Sequence, residues 1–456
     1  MHTIKTPIIP SKPTFTGSKI TLDHKAICVF SALGFFLDDD TYFVEQKVLK
    51  SATNYTFENQ NKIQSESEYF KWYYHPKECS LKQVTEEFSI LFEQIIKEQT
   101  QNQKVILPLS GGLDSRTQAA ALKFLNADAN TYSYHFKGGH NESKYAQKIA
   151  NTCNFPFQSW EVPNGYLWKK INELAQINEC YSEFTHPRQM AFIDKYDSMG
   201  DVFNLGHWGD VLFDDMGVPD DLSLENQVAV LLKKIVKNSG MELATALWSA
   251  WGLEGNFKDY LYQRLKSLLI NINIPESANA QIRAFKSLYW ASRWTSVNLS
   301  VFEEKKPIKL PYYDNRMCEF ICTVPEKYLA GRQIQIEYLK MRNPDLAKIS
   351  WQSQRPYNLY NYHLNKSPHN LPFRIVDKIK RMTQSQPYIQ RNWELQFVGK
   401  ENEAHLKNRL FNSKKMTDQI PVELISKIYE QFKNENKVYF SHSVSMLLTL
   451  SLFFEK

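Results

Sequence analysis

Residues 105–109, Val-Ile-Leu-Pro-Leu, form a short apolar run that ends in Ser110-Gly111-Gly112, and residues 117–125 then read as a helix. This strand, glycine loop and helix constrain the fold more than any other feature of the chain. The unit recurs downstream. Residues 131–136, 157–162 and 202–205 read as further strands, separated by helical material at 142–153 and 187–199. Strands alternating with helices predict an α/β fold, with a mostly parallel sheet and helices on both faces.

The flanks differ from this body. Residues 1–82 are rich in Thr, Tyr, Phe, Val and Ile, and 20–36, 41–48 and 54–57 read as strands with acidic turns such as Asp38-Asp39-Asp40. They are expected to form a small β-rich module, with the main domain covering 83–456. A helix opens that domain, because Val84, Phe88, Leu91, Phe92, Ile95 and Ile96 share one face, and polar residues 99–103 end it. Beyond residue 222 the pattern is nearly all helical. Residues 352–372, rich in Asn, Pro, Tyr and His, read as a long loop.

Composition excludes several classes of function. The net charge of +6 is mixed along the chain with no basic arm, so a solvated surface is expected and no nucleic-acid partner. The six cysteines include no CxxC pair. Cys318 and Cys322, one helical turn apart, read as a core face, and the sparse spacing fits a reducing cytoplasm. The apolar stretches at 26–37 and 444–454 are too short to span a bilayer, and no targeting segment is visible, so no membrane association is expected.

The glycine loop carries the chemistry. Two glycines let backbone N–H groups approach phosphate oxygens, and the positive end of the following helix faces the same anion. Ser110 and Ser115 add hydroxyls. Asp114 would be repelled by bare phosphate, so its presence points to Mg²⁺ between them. The chain has neither a G-x-x-x-x-G-K-[ST] loop nor a G-x-G-x-x-G loop. The strand before the loop, the helix after it and the Asp-Ser closing it favour ATP over an ordinary turn.

Ser110-Gly111-Gly112-Leu113-Asp114-Ser115-Arg116 resembles the pyrophosphate-binding loop of the ATP-pyrophosphatases, which adenylate a substrate oxygen and release pyrophosphate. Two more segments resemble the asparagine synthetase branch. Residues 206–213, Gly-His-Trp-Gly-Asp-Val-Leu-Phe, are similar to its G-E-G-x-D-E-L/V-F loop, and residues 310–316, Leu-Pro-Tyr-Tyr-Asp-Asn-Arg, to its V-P-F-L-D-x-R segment. The resemblance implies that Asp114 and Asp210 hold Mg²⁺. It also implies that Pro108, Leu109, Ser110, Gly111, Gly112, Asp114, Ser115, Phe136, Leu205 and Gly206 bind the nucleotide.

Three departures from that branch matter. Residue 2 is His2 rather than the glutaminase cysteine, and residues 1–82 resemble only the tail of a glutaminase domain, so no glutamine hydrolysis is expected. The family's glutamate in G-E-G is His207 here, which is placed either to take a proton from an attacking amine or to hold phosphate. The family lysine of a W/x-R-x-K segment is missing from residues 351–356, Trp-Gln-Ser-Gln-Arg-Pro. Arg355 and Lys309 are the candidate substitutes, although a guanidinium differs from an ammonium in reach and shape.

The resemblance implies an ATP-dependent ligase that adenylates a carboxylate and passes it to ammonia or an amine, releasing AMP and pyrophosphate. The acid would be a small molecule, a peptide or a sugar acid. The amine would be free ammonia, the product of a separate glutaminase, or a group on the substrate itself. Two other readings are a catalytically degenerate nucleotide-binding partner subunit and an enzyme that adenylates a nucleic-acid base.

Overall fold

The computed structural model describes residues 2–59, 62–137, 141–382 and 396–456. Its first 82 residues hold two small antiparallel sheets. In one, β1 (His2–Lys5) pairs with β4 (Thr53–Asn59), and β4 with β5 (Lys62–Glu68). In the other, β2 (Phe15–Gly17) pairs with β3 (Gln46–Val48).

Residues 20–36, expected as strands, instead contain the helix α1 (His24–Leu33). The Asp23 carboxylate accepts the Ala26 N–H at 2.9 Å and starts the helix. Gly34, at φ 78°, ends it by donating its N–H to the Phe30 carbonyl. Every residue from Ala26 to Leu33 is buried. A helix buried all round has no polar face, so the 3.6-residue period that would reveal it is missing from the sequence. Of 41–48, only Gln46–Val48 is strand.

α2 (Leu81–Thr100) follows, opened by a capping box in which the Ser80 hydroxyl accepts the Gln83 N–H and the Gln83 side chain accepts the Ser80 N–H. It leads into a five-stranded sheet built from β6 (Val105–Pro108), β7 (Ala129–Phe136), β8 (Phe157–Val162), β9 (Val202–Asn204) and β10 (Ile308–Lys309). Every pairing is parallel, and the strand order is β10-β9-β6-β7-β8. The two-residue β10 was not legible as a strand.

α3 (Asp114–Phe124) and α4 (Ser143–Cys153) connect β6, β7 and β8 and pack on the sheet. α5 (Tyr166–Ile177) and the 3₁₀ stretch Arg188–Ser198 carry the chain back to β9. On the face that holds Tyr132 and Phe203, the rings of Tyr196 and Phe302 lie 5.5 and 4.9 Å from them. Right-handed crossovers that move outward in both directions from β6 place helices on both faces. They also create a switch point between β6 and β9, where the loops at the carboxyl ends of those strands part and leave a crevice.

The rest is helical. The segment 352–372 is a loop broken by 3₁₀ turns at Gln352–Gln354 and Tyr362–Leu364, and its end already belongs to the helix Leu371–Met382. A long helix, Ala278–Phe285 continuing to Ser296–Glu303, passes through a π-helical stretch at Lys286–Thr295. The helix Lys437–Glu455 is long and apolar enough to cross a membrane by length and composition, but 67% of its apolar window is buried inside the protein. One apolar core joins Ile8, Phe30 and Trp72 of the first 82 residues to Phe88, Ile106, Leu339 and Leu448.

Candidate active site

The loop after β6 is folded on itself by its own hydroxyls. The Ser110 N–H donates to Ser115 Oγ at 3.2 Å, and the Gly112 N–H to Ser110 Oγ at 3.2 Å. The N–H groups of Gly111, Leu113 and Asp114 have no hydrogen-bond partner among the described residues. They sit at the start of α3, where the helix presents its positive end. Arg116, fully buried, braces the loop from behind: its guanidinium donates to the carbonyls of Gly111 (3.3 Å), Ile349 (2.9 Å) and Ser350 (3.0 Å).

The loop after β9 comes close to the same helix end, and its glycines allow this. A Cβ on Gly206 would lie 2.7 Å from Gln118 Oε1 and 3.2 Å from the Ser115 nitrogen. A Cβ on Gly209 would lie 2.7 Å from Asp114 Cγ and 2.9 Å from Tyr312 Cε2. Between them Trp208 sits at φ 78°, a backbone region costly for a bulky residue. Its indole N–H donates to Ser287 Oγ at 3.0 Å, which fixes the turn to the π-helical stretch.

Two cavities meet here. One, of about 610 Å³, is lined by Pro108, Leu109, Ser110, Asp114 and Ser115, by the end of β7 through Phe136, and by Leu205, Gly206, His207 and Asp210. The other, of about 1210 Å³, is lined by Ser110, Gly112, Asp114, Asp210, Arg332 and Arg355. Ser110, Asp114 and Asp210 belong to both walls. Gly111 contributes through its carbonyl, which holds Arg116 and accepts the Gln352 N–H at 3.3 Å. Lys309 reaches neither cavity. It ends β10 at the sheet edge, where its carbonyl accepts the Leu205 N–H at 2.9 Å. Arg355 faces the larger cavity and is paired with Asp377 at 3.5 Å.

The charges at the junction are interlocked. Asp114 Oδ1 accepts from the Arg332 guanidinium and, at 3.0 Å, from Gln335 Nε2. Arg332 Nε in turn donates to Gln335 Oε1 at 2.7 Å, and Gln335 Nε2 also donates to Tyr312 of the 310–316 segment at 3.0 Å. Burial raises the Asp114 carboxyl above its ordinary range, opposed by Arg332 and reinforced by Asp210. Asp114 Oδ2 and the exposed Asp210 carboxylate accept no hydrogen bond among the described residues. Two carboxylates with open oxygens on the wall shared by two cavities fit Mg²⁺, which takes one or two carboxylates and fills its remaining positions with phosphate and water.

His207 stands in the wall of the smaller cavity, and its Nδ1 is closed off with no hydrogen-bond partner among the described residues. Burial lowers its pKa to about 4, opposed by Asp210, so the imidazole is neutral at pH 7. Among the residues that sequence reasoning did not select, Arg332, Lys286, Trp290 and Arg188 also face these cavities. No motif marks them, because each reaches the site from a helix or loop distant in sequence.

Residues 87–195 match the asparagine synthase family. The matched segment contains the Ser110–Arg116 loop, and ends before Gly206–Asp210 and the 310–316 segment. No curated protein matches the chain. Among solved structures, NMN synthetase from Francisella tularensis is similar over 46% of this chain and 93% of its own, at 13% identity and a TM-score of 0.24. The NH3-dependent NAD synthetase from Campylobacter jejuni is similar over 43% and 98%, at 16% identity and a TM-score of 0.23. The α/β architecture around the matched segment rests on the strand order described above.

Proposed function

We propose that this protein uses ATP to adenylate a carboxylate and transfers the acyl group to ammonia or an amine, releasing AMP and pyrophosphate. The observation that carries this reading is the junction itself. A glycine loop with open N–H groups at a helix start meets the Asp210 loop at the switch point of the sheet, on the shared wall of two cavities. A nucleoside fits the smaller cavity beside the end of β7, and a departing pyrophosphate fits the larger one beside Arg332 and Arg355.

A carboxylate is a poor electrophile at carbon because its leaving group would be oxide. Adenylation gives that oxygen a phosphate to leave with. The loop N–H groups would hold phosphate oxygens in place while the acid attacks, which is stabilisation by preorganised dipoles. Asp114 and Asp210 would hold Mg²⁺, which supplies charge neutralisation for the phosphates. Neutral His207 is in the correct protonation state to accept a proton from the attacking amine, although its low pKa makes it a weak base.

The acid is a small molecule, peptide or sugar acid. The amine is ammonia, delivered free or by a separate glutaminase, or a group on the substrate. We place the reaction in the cytoplasm, where the six unpaired thiols stay reduced. One observation favours a non-catalytic nucleotide-binding subunit instead: Arg332 already neutralises Asp114. Pyrophosphate release and ATP–pyrophosphate exchange, measured with Mg²⁺ over a panel of acids and amines, separate the two. Acid-dependent exchange is expected. Nucleotide binding without exchange for any acid would support the subunit reading.

A further inference from the structure

Lys286 opens the π-helical stretch and lines the smaller cavity together with His207, Trp208, Asp210 and Trp290. Its ammonium lies 5.8 Å from the centre of the Trp208 ring and 5.2 Å from that of Trp290, so two indoles hold it in place. Asp210 and, more weakly, Asp214 attract it, while Lys234 and Arg283 repel it. Burial is the largest effect on this group and lowers its pKa to about 8.

Three other cations near the glycine loop are already engaged. Arg332 is held by Asp114, Arg355 by Asp377, and Arg283 by Glu326 at 2.6 and 2.7 Å. Lys286 has no hydrogen-bond acceptor and no ion pair among the described residues. A half-buried ammonium without an acceptor costs free energy, which a ligand oxygen in the cavity would recover. Trp208, one of its two supporting rings, is the strained residue of the turn that brings Asp210 to the junction. The lysine and the carboxylate loop are therefore fixed to each other.

Given the adenylation reading, on which this inference rests, we propose that Lys286 is a catalytic cation whose ammonium contacts the α-phosphate oxygens of the nucleotide. The smaller cavity ends at Ser110, Asp114 and Asp210, and the larger begins there, so the phosphorus joining nucleoside to pyrophosphate belongs at that border. In the adenylation step a carboxylate oxygen of the acid forms a bond to the α-phosphorus. The bond from that phosphorus to the bridging oxygen breaks, and pyrophosphate leaves with the electron pair. Lys286 transfers no proton. It stabilises the charge on the non-bridging oxygens, the task for which the sequence offered Lys309 and Arg355.

The test is equilibrium binding of AMP and of adenosine by calorimetry to the full chain and to Lys286→Met and Lys286→Arg. The two ligands differ only in the phosphate. Loss of a charge-assisted hydrogen bond should weaken AMP roughly ten- to hundredfold in Lys286→Met, with adenosine unchanged within about twofold. Lys286→Arg, which keeps the charge, should recover part of the AMP affinity. A merely structural lysine would weaken both ligands alike, and that result overturns the proposal. So does unchanged AMP binding in Lys286→Met. If the wild-type protein binds neither ligand, the nucleotide reading of the cavity falls first and takes the proposal with it.

Discussion

His442 ties the C-terminal helix to the first helix of the chain. Its Nε2 lies 2.9 Å from the Ser31 carbonyl of α1, so the ring is the Nε2–H tautomer and donates that bond. Burial pushes its pKa down to about 4. The Ser31 carbonyl and Glu183 oppose this shift, while Lys237 and His186 add to it. The folded pKa lies below the ordinary unfolded value of ~6.5, so the unfolded chain takes up the proton first. The contribution to stability is whole above pH ~6.5 and drains away as the pH falls toward 4. A fall from the ordinary ~6.5 to about 4 corresponds to up to about 3 kcal/mol over that window. His186, also lowered by burial, acts in the same direction. Glu183 is held well below the carboxylate range by His186, Ser445 and Thr185 against the effect of its own burial. Its contribution is whole above ~4.3 and is lost only below the window. Glutamine can keep the donor to Ser31 without titrating. Denaturant unfolding of His442→Gln and wild type between pH 7.5 and 4.5 should therefore show the variant losing less stability on acidification, by about 2–3 kcal/mol. Profiles that stay parallel within about 0.5 kcal/mol would refute the assignment of this acid sensitivity to His442.

Gly209→Ala places a Cβ against the Asp114 carboxyl group and 2.9 Å from Tyr312, so overpacking should cost about 1–3 kcal/mol and displace Asp114. A lower unfolding midpoint together with lost nucleotide turnover is expected, and wild-type values in both would contradict the close approach of the two loops. Asp210→Asn should remove ATP–pyrophosphate exchange while circular dichroism stays unchanged, because that carboxylate is exposed and holds no structural partner among the described residues; full exchange would sink its role at the junction. Arg283→Met breaks a bidentate pair with Glu326 that is almost completely buried and leaves that carboxylate uncompensated, at about 3–5 kcal/mol in denaturant unfolding. A loss under about 1 kcal/mol would mean that Glu326 finds another partner or takes up a proton.

The parallel sheet was legible because its strands are short apolar runs and its connections carry helical periodicity. β6, β7, β8 and β9 fall within one or two residues of the expected positions. α1 was misread because a helix buried on every side is uniformly apolar, and its β-branched and aromatic residues then resemble strand. β10 is two residues long, and its pairing with β9 depends on a contact about a hundred positions away in sequence. No local pattern encodes that.

The site divides along the same line. That the loops after β6 and β9 come together was legible because glycines stand where their backbones must approach. The groups that balance the carboxylates of those loops were not. Arg332 reaches Asp114 from 218 positions away, out of a turn that places Arg332 itself at φ 65°. Lys286 opens a π-helical stretch, a feature that no local sequence pattern announced. The cations chosen from sequence, Lys309 and Arg355, were chosen by proximity to recognisable motifs. The structure instead places Lys286 on a helix with no motif, between Trp290 of that helix and Trp208 of the 206–213 loop. Motif adjacency reports which loops meet at the open end of the sheet. The neutralising charge is set by packing, because any element that crosses the open end of the sheet can deliver it.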